Sequence, residues 1–63
     1  MCESRVVLLE NGKENEIMDN VIYIKPQNGK LVMYDLLGEE KMIDAVIKEI
    51  KLLDHKIILE KRN

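Results

Sequence analysis

Apolar residues along this chain fall into short blocks separated by turn-forming pairs. The first block, "RVVLLE" (5–10), is followed by Asn11-Gly12. That dipeptide tolerates positive φ at both positions and so marks a tight hairpin. A second block, "EIMDNVIYIK" (16–25), reaches Pro26, and "PQNG" (26–29) carries a second Asn-Gly pair at its tip. There the pattern predicts the end of the strand at Pro26 and a turn over 26–29. "KLVMYDLL" (30–37) then runs to Gly38. These three blocks predict a β-meander with short connections.

The segment over 39–56 supports two readings. Ile43, Val46, Ile47 and Ile50 recur at helical spacing, with acids early, lysines late and Asp44 four residues before Lys48. Periodicity therefore favours an amphipathic helix at about 39–53. As a strand, the same segment has two mixed faces, a pattern that suits a long, bent strand whose covered face changes along a small barrel. "KIILE" (56–60) reads as a final strand after a turn at Asp54-His55.

Composition tilts the balance toward strands. Val and Ile fill 13 of the 63 positions, Ala occurs once, and the aromatics are Tyr23 and Tyr34. β-Branched side chains lose χ1 freedom in a helix and pack well on a pleated surface. The length predicts one domain over 1–63, of a size that buries only about 60% of its unfolded surface and gains from dimerisation or a metal. A single cysteine rules out an internal disulfide. With neither a leader-like segment nor an apolar run near a membrane span, the expectation is a cytoplasmic protein away from the membrane.

The candidate chemistry lies at Cys2. With Met1 retained, its α-amine, the deprotonated Cys2 amide and the Cys2 thiolate form two fused five-membered chelate rings around one metal. With Met1 removed, the amine and thiolate belong to Cys2, and the amide of Glu3 becomes the third donor. Such donors suit square-planar Ni(II) or Cu(II), whereas Zn(II) prefers four tetrahedral ligands. One chain supplies part of a coordination sphere, and a twofold dimer would bring two Cys2 thiolates to a single metal. By position alone, a cysteine near a terminus is more often a bystander than a ligand.

"MCES" at the start, "LGEEK" at 37–41 and "IKEIKLLDHKIILE" at 47–60 resemble the CooT family of small proteins. The resemblance covers essentially the whole chain. It implies an all-β, SH3-like five-stranded barrel, with 39–52 as a strand, that forms a homodimer. It also implies Ni(II) binding through Cys2, to which the chelate chemistry above adds Met1 and Glu3 as neighbouring donors and the dimer interface as the shared site. The role implied is that of a metallochaperone in carbon monoxide dehydrogenase maturation, with a nickel enzyme or maturation factor as client. Members often carry Gly within the long strand and an acid before the leucine pair, where this chain has Ala45 and Lys51.

Several other residues read as structural. His55 is expected to be exposed in its turn. A zinc site from two Cys2 and two His55 would need a terminus and a distant turn to meet. Met18, Met33 and Met42 read as core fillers, and Glu39-Glu40 as solvated charges. There is no second histidine, no threonine and no phosphate-binding glycine loop, so an enzyme is not expected. The alternative function is an RNA-binding module on the same barrel. The net charge of −2 and pI of about 5.3 argue against it. Its basic surface would have to come from Lys48, Lys51, Lys56, Lys61 and Arg62.

Overall fold

The computed structural model describes residues 3–61. It contains six strands, β1 (Ser4–Glu10), β2 (Lys13–Gln27), β3 (Lys30–Asp35), β4 (Glu40–Ile43), β5 (Ala45–Lys51) and β6 (Lys56–Lys61). Together they make one curled sheet in the order β4-β3-β2-β1-β6-β5. No helix is present among the described residues, and none is long and apolar enough to cross a membrane. The helical reading of 39–53 is thereby corrected.

Both Asn-Gly pairs make two-residue hairpins. Asn11 and Gly12 have φ of 52° and 78°, Asn28 and Gly29 have 52° and 79°. These left-handed values match the twist of the flanking strands. The turn expected over 26–29 is narrower than predicted, because Pro26 pairs with Leu31 and Gln27 with Lys30 inside the β2–β3 ladder. Proline lacks only the amide donor, so it is tolerated where a ladder nears its hairpin.

The bend between β4 and β5 determines the topology. Residues 40–51 form one extended stretch broken at Asp44. Its first half pairs with β3 and its second half with β6. Five expected strands therefore become six. Chain direction does not reverse at a bend, as it would at a hairpin, so β6 runs parallel to β1, with Val6 opposite Ile57 and Leu8 opposite Leu59. The two ends of the sheet order are thus covalently joined at Asp44, which curls the sheet toward a barrel.

Alternation sorts the side chains into two faces. Val6, Leu8, Met18, Val21, Leu31, Met33, Ala45, Ile57 and Leu59 form the buried core, with Ile17, Ile24 and Ile43 packed against it. The small Ala45, 2% exposed, lies in this core immediately after the bend. Period-2 spacing places Val7, Val32 and Ile58 on the outer face, where they are nonetheless buried. Lys56 reaches diagonally over β1 to Glu14, Nζ to Oε1 2.9 Å, so charged side chains cover Val7 from outside. Met18 and Met33 fill the core as expected. Met42 does not: it is 49% exposed, because its position opposite Val32 puts it on the outer face of an edge strand.

Hydrogen bonding to Lys56, followed by that lysine's positive charge, holds the Glu14 carboxyl below its ordinary value of 4.5. A carboxyl lowered by folding contributes stability that is present above its unfolded pKa and lost as pH falls through the folded one. Urea unfolding should therefore show wild type ahead of Glu14→Gln at pH 7, with the gap closing as pH falls through the folded-state pKa. A gap independent of pH would mean that Glu14 acts through packing instead.

Candidate metal centre

Met1 and Cys2 lie outside the described residues, so the site is approached from the chain that leads into it. Glu3 is half-buried and directly precedes β1. Ser4 sits opposite Val21, and Arg5 opposite Lys56. The Arg5 amide donates to the His55 carbonyl at 2.8 Å, tying the β5–β6 turn to the start of β1. The turn that sequence reasoning placed at a distance is thus a neighbour of the start of β1, because the parallel β1–β6 pairing sets both strand starts side by side. His55 itself is exposed, as expected, with φ of 51°.

The loop between β3 and β4 is anchored at the same end of the sheet. The Leu36 amide donates to the Asn20 carbonyl at 2.9 Å, one residue before the Val21 that faces Ser4. The Asp35 carboxylate shapes this loop by accepting from the Leu37 amide at 3.0 Å and the Glu39 amide at 2.8 Å. Gly38, at φ 87°, closes it. Glu39 is therefore a loop residue and Glu40 begins β4, both exposed. Replacing Asp35 by Ala should cost about 0.5–2 kcal/mol by analogy with the loss of a capping side chain, read as a lower midpoint in urea. An unchanged midpoint would show that water replaces the carboxylate.

Two leucine pairs sit on these loops and flank the start of β1. Leu37 is 91% exposed, Leu52 80% and Leu53 96%, with Leu36 about half exposed. Two successive side chains of a tight loop cannot both turn inward. Sequence reasoning read these leucines as strand or helix positions and missed the collar, since only the fold brings 36–37 and 52–53 to one end.

Among the described residues, no three His, Cys, Asp or Glu side chains gather in a way that could hold a metal ion. The basic residues expected for an RNA surface are largely neutralised. Lys48 faces Glu60 at 3.7 Å, Lys56 faces Glu14 at 2.9 Å and Lys61 faces Glu10 at 3.3 Å. Arg62 lies outside the described residues. Tyr23 and Tyr34 do meet, with ring centroids 5.5 Å apart and planes tilted by 52°. Their neighbour is acidic, however: the negative charge of Glu40 raises the pKa of the Tyr34 hydroxyl.

A curled six-stranded sheet with a bent closing strand defines this protein as a small SH3-like barrel. The family model for "CO dehydrogenase accessory protein CooT" matches residues 1–60. The crystal structure of a "putative CooT" from Carboxydothermus hydrogenoformans superposes with a TM-score of 0.93 at 31% identity, covering 98% of this chain and 100% of that one. The chain belongs to the CooT family. Among curated proteins, no relative matches.

Proposed function

We propose that this protein binds Ni(II) through Cys2 as a homodimer and supports nickel supply during maturation of a carbon monoxide dehydrogenase. The observation carrying this reading is family membership across residues 1–60, which includes the Met1-Cys2 start. The donor chemistry supports it: the Cys2 thiolate and adjacent nitrogens of Met1, Cys2 or Glu3 suit square-planar Ni(II), and two copies complete a sulfur–nitrogen set. Exposed Leu36, Leu37, Leu52 and Leu53 around the start of β1 support association at that end. A twofold axis through the leucine collar would bring both chain starts together.

Native mass spectrometry with and without Ni(II) tests the proposal. The expected result is one metal per two chains, lost in Cys2→Ser and retained in His55→Ala. Equal nickel loading of wild type and Cys2→Ser would overturn the ligand assignment. Loss of metal in His55→Ala would favour the mixed Cys2 and His55 site instead, which the proximity of the His55 turn to β1 allows. Leu53→Lys should leave the fold intact and shift the dimer toward monomer.

A further inference from the structure

We propose that Met42 is a site of oxidation by hydroperoxides, and that the resulting sulfoxide loosens β4 from β3. The three methionines of the described residues differ sharply in access. Met18 and Met33 are buried in the core, whereas Met42 is 49% exposed. A thioether open to water meets peroxide directly, while a buried one reacts only when the fold opens around it.

The position of Met42 gives this reaction a consequence. Val32 stands on the outer face of β3, between Lys25 on β2 and Met42 on β4, and is nonetheless buried. Among the described residues no helix or second sheet lies over that face, so the cover on Val32 comes from side chains around it. Tyr34 shares the face two residues along β3, and its ring meets Tyr23 at 5.5 Å. Lys25 and Met42 flank Val32 on either side, and directly opposed side chains on one face lie close enough to pack. β4 stands at one end of the sheet order, so Met42 supplies the apolar cover on that side. The ladder it belongs to is short, because β4 spans only Glu40–Ile43 before the bend. On the inner face of the same strand, Ile43 packs against the core opposite Leu31.

The oxidation is a two-electron oxygen transfer. The Met42 sulfur attacks the distal oxygen of a hydroperoxide, forming an S–O bond as the O–O bond breaks. The proton on the transferred oxygen passes to the leaving oxygen. Sulfur is thereby oxidised to the sulfoxide, and the peroxide is reduced to water or an alcohol. The sulfoxide is polar and seeks water, so it withdraws its cover from Val32. Uncovering an apolar residue beneath a short edge ladder favours local opening of β4. Among the described methionines, Met42 thus makes the closing strand the part of the barrel that peroxide reaches first. The inference does not rest on the nickel assignment.

The test treats the metal-free full chain with hydrogen peroxide and follows each methionine by peptide mass spectrometry. Trypsin places Met18, Met33 and Met42 in separate peptides, and Met1 with Cys2 in another. Met42 should oxidise at least about tenfold faster than Met18 and Met33, with the three rates converging in urea. Hydrogen exchange at 31–34 and 40–43 should then quicken about fivefold, the effect of uncovering one valine in part, with β1 and β6 unchanged. Met42→Leu keeps the apolar cover without the sulfur, so the same treatment should leave its exchange unchanged. Repeating both arms in Cys2→Ser should give the same result. Equal oxidation of Met42 and Met33 in the folded protein, exchange unaltered by oxidation, or the same acceleration in Met42→Leu would each overturn the proposal. Slow oxidation of Met42 would overturn it too, by showing that a second copy of the chain or a partner covers that face.

Discussion

Leu59→Ala is expected to lower stability by about 2–5 kcal/mol, the range for emptying a fully buried leucine site. Leu59 is 0% exposed and stands between Leu8 on β1 and Ile47 on β5, so it joins the parallel pair to the closing strand. Domains as small as this hold stability toward the lower end of about 5–15 kcal/mol, so the loss removes a large share of the total. The thermal midpoint should fall by about 10–30 °C. Leu53→Ala is the matched control: the same chemistry at a 96% exposed position should change the unfolding midpoint of the monomer little. Equal losses in both variants would show that Leu53 is covered, and the leucine collar would then be an interface that folding depends on.

Ala45→Leu carries the second largest effect. Ala45 is 2% exposed, lies directly after the bend, and packs where the two halves of the long strand part. Ala45 also lines a cavity of about 280 Å³ beside Leu31 and Ile47, so three added carbons held on the core face should cost about 1–3 kcal/mol through overpacking. The variant should also force the seam between β5 and Leu31 wider, loosening the β3 side of the barrel first. Hydrogen exchange of amides on β4 and the first half of β5 would then accelerate more than exchange on β1 and β2. Ala45→Gly should be milder, at about 0.5–1 kcal/mol, because glycine adds backbone entropy without a clash. If leucine were tolerated as well as glycine, its side chain would lie in that cavity and the core face of the bend would not be sterically limited.

Much of the fold was legible locally. Asn11-Gly12 and Asn28-Gly29 specify their hairpins through backbone conformation alone, so the meander β1-β2-β3 followed from the sequence. The continuous apolar run Val6-Val7-Leu8-Leu9, by contrast, does not show which side chains enter the core; the sheet places Val6 and Leu8 there and Val7 on the outer face. Errors arose where neighbours outside the local window decide. Pro26 reads as a strand terminator until its partner Leu31 is known. Met42 reads as core until its strand is placed at the edge of the sheet. The helical spacing of Ile43, Val46, Ile47 and Ile50 comes from a strand that changes partners at Asp44, with a further bulge between Ile47 and Glu49. Ile43 and Ala45 keep the two-residue period across Asp44, and the bulge then shifts it by one, which gives Ile47 and Ile50 a helix-like spacing of three.

The candidate metal chemistry was legible for a different reason. A thiol and two adjacent nitrogens chelate through bonds within three residues, so Met1, Cys2 and Glu3 can be recognised without a fold. By itself the sequence determined the hairpins, which depend on contacts a few residues apart, and the donor set proposed at Met1, Cys2 and Glu3 is local in the same sense. Only the tertiary structure decided that β6 runs parallel to β1, and that His55 and both leucine pairs gather around the start of β1. Those features depend on where one bend, at Asp44, sends the chain, and local propensity carries no information about which distant strand completes a ladder.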